Sequence, residues 1–209
     1  MRRYRTLLAI AACFVAGVVL VLLGLDAASW RSTMRSDDVT YRAAPQGDLW
    51  SPRTFLPARI TRSLLGIEDD IAYRRALQSF RLAHVERPVI SDPSLVVYRN
   101  DATVRLTDIV EHGSDPLRRS DAANLLGAIA YSDALGDFTN RAKLIVAASQ
   151  RFGQSITFDP SNDDAKYNLE LTLALGKATG LSESGGGANP APGGKGSKGA
   201  GAGDAGSGF

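Results

Sequence analysis

Phe158 to Leu173, FDPSNDDAKYNLELTL, is the stretch whose reading decides the fold. Asp159-Pro160 ends one helix, because a proline ring cannot continue the hydrogen-bond ladder and pushes the residue before it out of helical geometry. Ser161 and Asn162 then offer cap side chains, and Asp163 and Asp164 place negative charge where the next helix dipole favours it. Leu169 and Leu173 follow one turn apart, on the face a helix lays on its neighbour. The stretch therefore reads as the junction between stacked helical hairpins, an architecture that offers a surface to other proteins.

Working backwards, Phe138, Ala142, Ile145, Ser149 and Phe152 recur at helical spacing, with Gly153 as a stop. Gly136-Asp137 turns the chain, and Ser114-Asp115-Pro116 supplies a cap and a first-turn proline for a helix reaching about Leu135. Ala102 to Val110 is a shorter helix, with a brief extended piece from Leu95 to Tyr98 before it. Ile67 to Ala83 is another, opened by Glu68, Asp69 and Asp70 and followed by a stop at Pro88. No alternating run competes for a sheet, so the predicted class is all-α, built of antiparallel hairpins over residues 57–178.

The two ends differ from this body. Leu7 to Leu25 is nineteen residues without a charge, and at ~1.5 Å per residue it spans ~28 Å, close to the hydrocarbon thickness of a bilayer. It predicts a membrane anchor over residues 1–25. Arg2, Arg3 and Arg5 before it put the N-terminus in the cytoplasm, although Arg31 and Arg35 lie on the other flank, and Trp30 is placed to meet the far headgroups. A cleaved signal peptide is the rival reading, with Ala27-Ala28-Ser29 as the cleavage site, but its apolar region is normally shorter. Residues 26–56, punctuated by Pro45, Gly47 and Pro52, read as a juxtamembrane linker. Residues 179–209 are almost all Gly, Ala, Ser, Pro and Lys, which cannot bury enough apolar area to offset ordering, and read as a disordered tail.

Composition excludes several function classes. A net charge of +2 over 209 residues, with the basic side chains scattered, predicts no nucleic-acid partner. The one cysteine, Cys13, lies inside the apolar run. His84 and His112 lack ligand neighbours at metal spacing, and Asp159, Ser161 and Asp163 lack the glycine and distal glutamate of a calcium loop, so no metal and no cofactor are expected. No phosphate-binding or nucleophile motif occurs in the folded part.

Tyr73, Ala76, Phe80, Ala83 and Pro88 are separated by three, four, three and five residues, the spacing of the second helix of a tetratricopeptide repeat. Pro160, Asn168 and Leu169 repeat part of that register. Ala123, Leu126 and Gly127 suggest another first helix, yet the distance from there to Pro160 is too long for a strict array of about 34-residue units. With LLGIEDDIAYRRALQSFRLA and FDPSNDDAKYNLELTLAL, the chain resembles the small membrane-anchored tetratricopeptide-like proteins encoded beside MoxR-type AAA ATPases and von Willebrand factor A-domain membrane proteins in bacteria. The resemblance covers roughly residues 57–178. It implies an accessory scaffold of a cell-envelope assembly or maturation system, with those proteins as partners, and the cytoplasmic N-terminus puts the helical domain outside the cytoplasm.

Asn124 and Tyr131 on one helix, with Tyr167 and Asn168 on the last, are the residues expected to face a protein-binding groove, where amides bond a peptide backbone and aromatics cover its side chains. The bland alternative is that Tyr167 and Asn168 merely pack and cap the hairpin. Two other functions compete with a non-enzymatic scaffold: a helical envelope enzyme using Asp69 with Asp70, or Asp163 with Asp164, as acids, and a purely structural envelope spacer.

Overall fold

A computed structural model describes residues 2–83 and 93–180. Among these residues the structure is all-helical: α1 (Arg2–Ala43), α2 (Ala58–Leu65), α3 (Glu68–Ala83), α4 (Pro93–His112), α5 (Pro116–Gly136), α6 (Arg141–Phe158) and α7 (Asp163–Ala178). His84, Pro88 and the tail after Gly180 lie outside the described residues.

α1 carries an apolar stretch long enough to cross a bilayer, none of it buried in the protein. Leu8, Ile10, Phe14, Val15, Leu20 and Val21 all point into open space. The same helix then runs on to Ala43, which corrects the expectation of a linker from residue 26. Its second half is a core element. Trp30, Met34 and Tyr41 lie on one side of it and pack with Leu49, Trp50, Ile71, Leu65 and Ile67. Trp30 is therefore buried in protein rather than set among headgroups. Its stripe was hidden in the sequence because Ser, Asp and Arg fill the positions between.

The loop after α1 is stitched down by carboxylates of that helix. Asp26, fully buried, accepts hydrogen bonds from the backbone N–H of Phe55 at 2.7 Å and of Leu56 at 3.0 Å, and from the Thr61 hydroxyl at 3.1 Å. Asp37 accepts from the Trp50 N–H at 2.6 Å, and Asp38 from its indole N–H at 2.9 Å. Trp50 is held at φ 56°, a left-handed conformation costly for a bulky side chain. The end of α1 is closed by Arg81, whose guanidinium donates to the carbonyls of Tyr41 and Arg42. α2, absent from the sequence reading, follows from this stitching and stops at Gly66, whose φ of 65° lets its N–H reach back to the last turn.

The remaining junctions follow local chemistry. Asp115 caps α5 by accepting from the Leu117 N–H, with Pro116 in the first turn. In the turn before α7, Asp159 accepts from the N–H and hydroxyl of Ser161, and Asn162 caps the helix through the Ala165 N–H. The same Asn162 donates to Ser120 of α5 and Ser155 of α6, both fully buried, whose hydroxyls are 2.9 Å apart. One side chain thus fixes three helices.

Three local expectations are corrected. Leu95 to Tyr98 is the first part of α4, not an extended piece, because Pro93 suits a helix start and Ala102, Leu106 and Val110 bury the helix it begins. Gly153 lies inside α6, which continues to Phe158 because Ser155 and Phe158 still reach the core. Phe138 and Ala142 are exposed; the buried side of α6 is Ile145, Ala148, Phe152 and Ser155. The Phe138 ring instead lies 4.1 Å below the Arg141 guanidinium.

Each helix from α3 onward packs against the next in the chain, and α5 also touches α7. Side-chain bonds fix a parallel relation among the odd-numbered helices. Asp38 of α1 and Arg74 of α3 are 36 residues apart; Tyr73 of α3 and Asp121 of α5 are 48; Asn124 of α5 and Asn168 of α7 are 44. α3, α5 and α7 with the second half of α1 form one layer, and α4 and α6 lie behind it. The core between them is built of small residues set against large ones. Ala76, Ala102, Ala122 and Ala123 meet Leu106, Leu126 and Ile129, with Tyr73 and Phe80 at the margin. At Gly127 a Cβ would come within 2.5 Å of the Phe152 ring, so only glycine admits that ring.

Candidate protein-binding face

The layer of odd-numbered helices presents a continuous row of polar and aromatic side chains. On α5, Arg118, Asp121, Asn124 and Tyr131 follow at spacings of three, three and seven, which spreads them over an arc of about 140° of the helix surface. Asn168 Nδ2 donates to Asn124 Oδ1 at 2.9 Å, bringing together two of the four residues expected in a groove. That bond leaves Asn124 Nδ2 and Asn168 Oδ1 for a further partner. Tyr167 is 62% exposed, and Tyr131 is half-buried two turns further along α5.

A cleft of about 390 Å³ opens on the same layer beside α1, lined by Asp38, Tyr41, Arg42, Tyr73, Arg74 and Arg118 among others. Its floor is an alternating ladder of charge. Arg74 binds both oxygens of Asp38, at 2.9 and 3.0 Å, and also Asp70. Asp70 in turn accepts from Arg118 at 2.9 Å, which reaches Asp115 at 3.5 Å. The Arg74 hydrogen bond holds the Asp38 carboxyl below its ordinary range, and the same pairing raises Arg74. Burial pushes the Tyr73 hydroxyl up, and Asp121, which accepts from it at 3.0 Å, pushes it further. Arg118 sits 5.7 Å over the Tyr73 ring and Arg81 5.0 Å over the Tyr41 ring.

The arrangement brings donors, acceptors and aromatic faces together on one side. Arginines bonded on one side still offer N–H groups on the other, aromatic faces cover apolar side chains, and paired amides match a peptide backbone. The sequence reading missed Tyr41, Tyr73, Arg74 and Arg118 because their partners lie 36 to 48 residues away. The local signals were the ion pairs of Asp70 with Arg74 at i,i+4 and of Asp115 with Arg118 at i,i+3.

The carboxylate pairs weighed as acids are placed differently. Asp69 is exposed and accepts from the Ser114 hydroxyl at 2.6 Å, and Asp70 is spent on two arginines. Asp163 and Asp164 are both exposed in the first turn of α7, where Asp163 pairs with Lys166. His112 is exposed and lies 3.0 Å from Asp108, one turn back. Among the described residues, no three His, Cys, Asp or Glu side chains converge as metal ligands. Comparison with family models, with curated proteins and with solved structures finds no match for this chain.

Proposed function

We propose that this protein is a membrane-anchored, non-enzymatic scaffold that holds other proteins on the α3, α5, α7 face. The observation that carries the reading is the unbroken passage of the membrane-length helix into the first helix of the array, which fixes a binding face at a set height above a bilayer. Parallel helices recurring at offsets of 36, 48 and 44 residues support a divergent tetratricopeptide-like array with units longer than the usual ones. Glycine and alanine admitting Phe152 and Phe80 support it further.

An uncleaved anchor is the better reading of the N-terminus. Cleavage at Ala27-Ala28-Ser29 would remove Asp26, whose carboxylate holds Phe55, Leu56 and Thr61. On the family resemblance, the partners are envelope proteins with von Willebrand factor A domains and a MoxR-type ATPase complex, and the array lies outside the cytoplasm. The test is capture of partners by the full-length protein from gently solubilised membranes, beside an Asn168→Ala, Tyr73→Ala double variant. Recovery of envelope or ATPase-associated proteins by the parent and their loss by the variant is the expected result. Equal recovery by both would remove the face from the proposal, and repeated recovery of nothing would remove the scaffold.

A further inference from the structure

α2 and the loop before it carry apolar side chains that none of the described residues covers. Phe55 is 69% exposed, Ile60 51% and Leu64 61%. They are not scattered. Along α2, Thr61 and Leu65 form the inward stripe, Thr61 buried and Leu65 against the Trp30 and Trp50 cluster. Ile60 and Leu64, four residues apart, form a second stripe beside it, while Arg59 and Ser63 occupy the opposite, exposed side. A helix with two apolar stripes has two neighbours to satisfy, and the described residues supply only one.

The height of this segment is fixed by Asp26. That residue follows Leu25, the last residue of the apolar run, and its carboxylate is 2.7 Å from the Phe55 N–H and 3.1 Å from the Thr61 hydroxyl. The Ser29 hydroxyl also donates to the Arg53 carbonyl, 3.2 Å away. Phe55 and α2 therefore sit where the run leaves the hydrocarbon, continuing the exposed apolar surface of Val21 and Leu25. Charge points the same way. Residues 25–35 and 50–67 hold five arginines, Arg31, Arg35, Arg53, Arg59 and Arg62, against one carboxylate, Asp26, that is fully buried.

We propose that α2 is an interfacial helix: Phe55, Ile60 and Leu64 enter the acyl boundary of the bilayer that α1 crosses, with the surrounding arginines at anionic headgroups. The inference rests on the membrane reading of α1. Its consequence is a second point of attachment, which stops the array from swinging about α1 and fixes which way its binding face looks.

The test places an environment-sensitive fluorophore on single cysteines in the full-length Cys13→Ser protein, reconstituted in phosphatidylcholine and phosphatidylglycerol vesicles. The sites are Ile60→Cys and Leu64→Cys on the proposed lipid stripe, Ser63→Cys on the exposed flank turned away from the protein core, and Val18→Cys in the apolar run. Labels at 60 and 64 are expected to be quenched by a shallow nitroxide lipid, and to be quenched by aqueous iodide about fivefold less than the label at 63, as for an amphipathic helix at the acyl boundary. Equal iodide quenching at 60, 63 and 64, with position 18 still quenched by a deep nitroxide lipid, overturns the interfacial helix and leaves the anchor standing. Iodide protection at 60 and 64 without nitroxide quenching assigns the stripe to protein contact and also overturns it. Loss of deep quenching at position 18 removes both readings.

Discussion

Where α1 meets α3 and the loop between them, the contact is made by charge and by side chains bonded to backbone: Asp26 to Phe55 and Leu56, Asp37 and Asp38 to Trp50, Asp38 to Arg74, Arg81 to the last carbonyls of α1. Where α5 meets α6, shape carries most of it, with Gly127 opened to the Phe152 ring and Ala123, Leu126 and Ile129 filling the core, beside one buried hydroxyl pair, Ser120 with Ser155. The two regions solve different problems. The far helices follow one another through short turns and can rely on burial. The long N-terminal helix is followed by fourteen residues without a helix, and each bond to its carboxylates fixes the register of that loop.

Breaking the loop at its anchor gives the largest expected effect. Trp50→Ala removes a fully buried ring and its indole bond to Asp38, leaving the backbone bond to Asp37, for a loss of about 3–5 kcal/mol in denaturant unfolding of the detergent-solubilised protein. Hydrogen exchange sharpens the comparison: protection is expected to fall in residues 26–43 and α2 and to persist in α5 and α6. Uniform loss across all helices would show that the two regions are one cooperative unit.

On the far side, Gly127→Ala forces the Phe152 ring to move and is expected to cost about 1–3 kcal/mol, with Phe152→Leu restoring part of it in the double variant. A neutral Gly127→Ala would mean that α6 is free to slide. Asn162→Ala takes away the cap of α7 and the link to Ser120 and Ser155, for about 1–2 kcal/mol, visible as earlier exchange in α7 than in α5.

The smallest effect concerns pH. Because its bond to Arg74 holds Asp38 below its ordinary 3.8, the stability it contributes is complete above that pH and is lost as the pH falls through the lower folded value. Arg74→Met should flatten the acid limb of a stability profile and leave the neutral region less changed. An unaltered acid limb would place the pH dependence elsewhere.

The far helices were legible because their signals are local. Asp115-Pro116 starts α5 and Asn162 with Asp163 and Asp164 starts α7, as capping chemistry requires. Ala76 is buried in the core and Phe80 packs against its margin. Of the expected groove residues, Asn124 and Asn168 do meet, while the cleft beside them, with Tyr73, Arg74 and Arg118, had no sequence signature. The region after Leu25 was misread because its apolar stripe is sparse, with only Trp30, Met34 and Tyr41 facing the core over three turns.

Sequence by itself determined an all-helical chain with a helix long enough to cross a bilayer and most of the helix ends, since periodicity, capping and proline act over three or four residues. Tertiary structure alone decided that the long apolar helix continues into the helical body, that Trp50 and Asp26 lock the loop after it, and that charges tens of residues apart form one ladder. Such pairings depend on where distant segments are brought in space, and residue spacing along the chain carries no record of that.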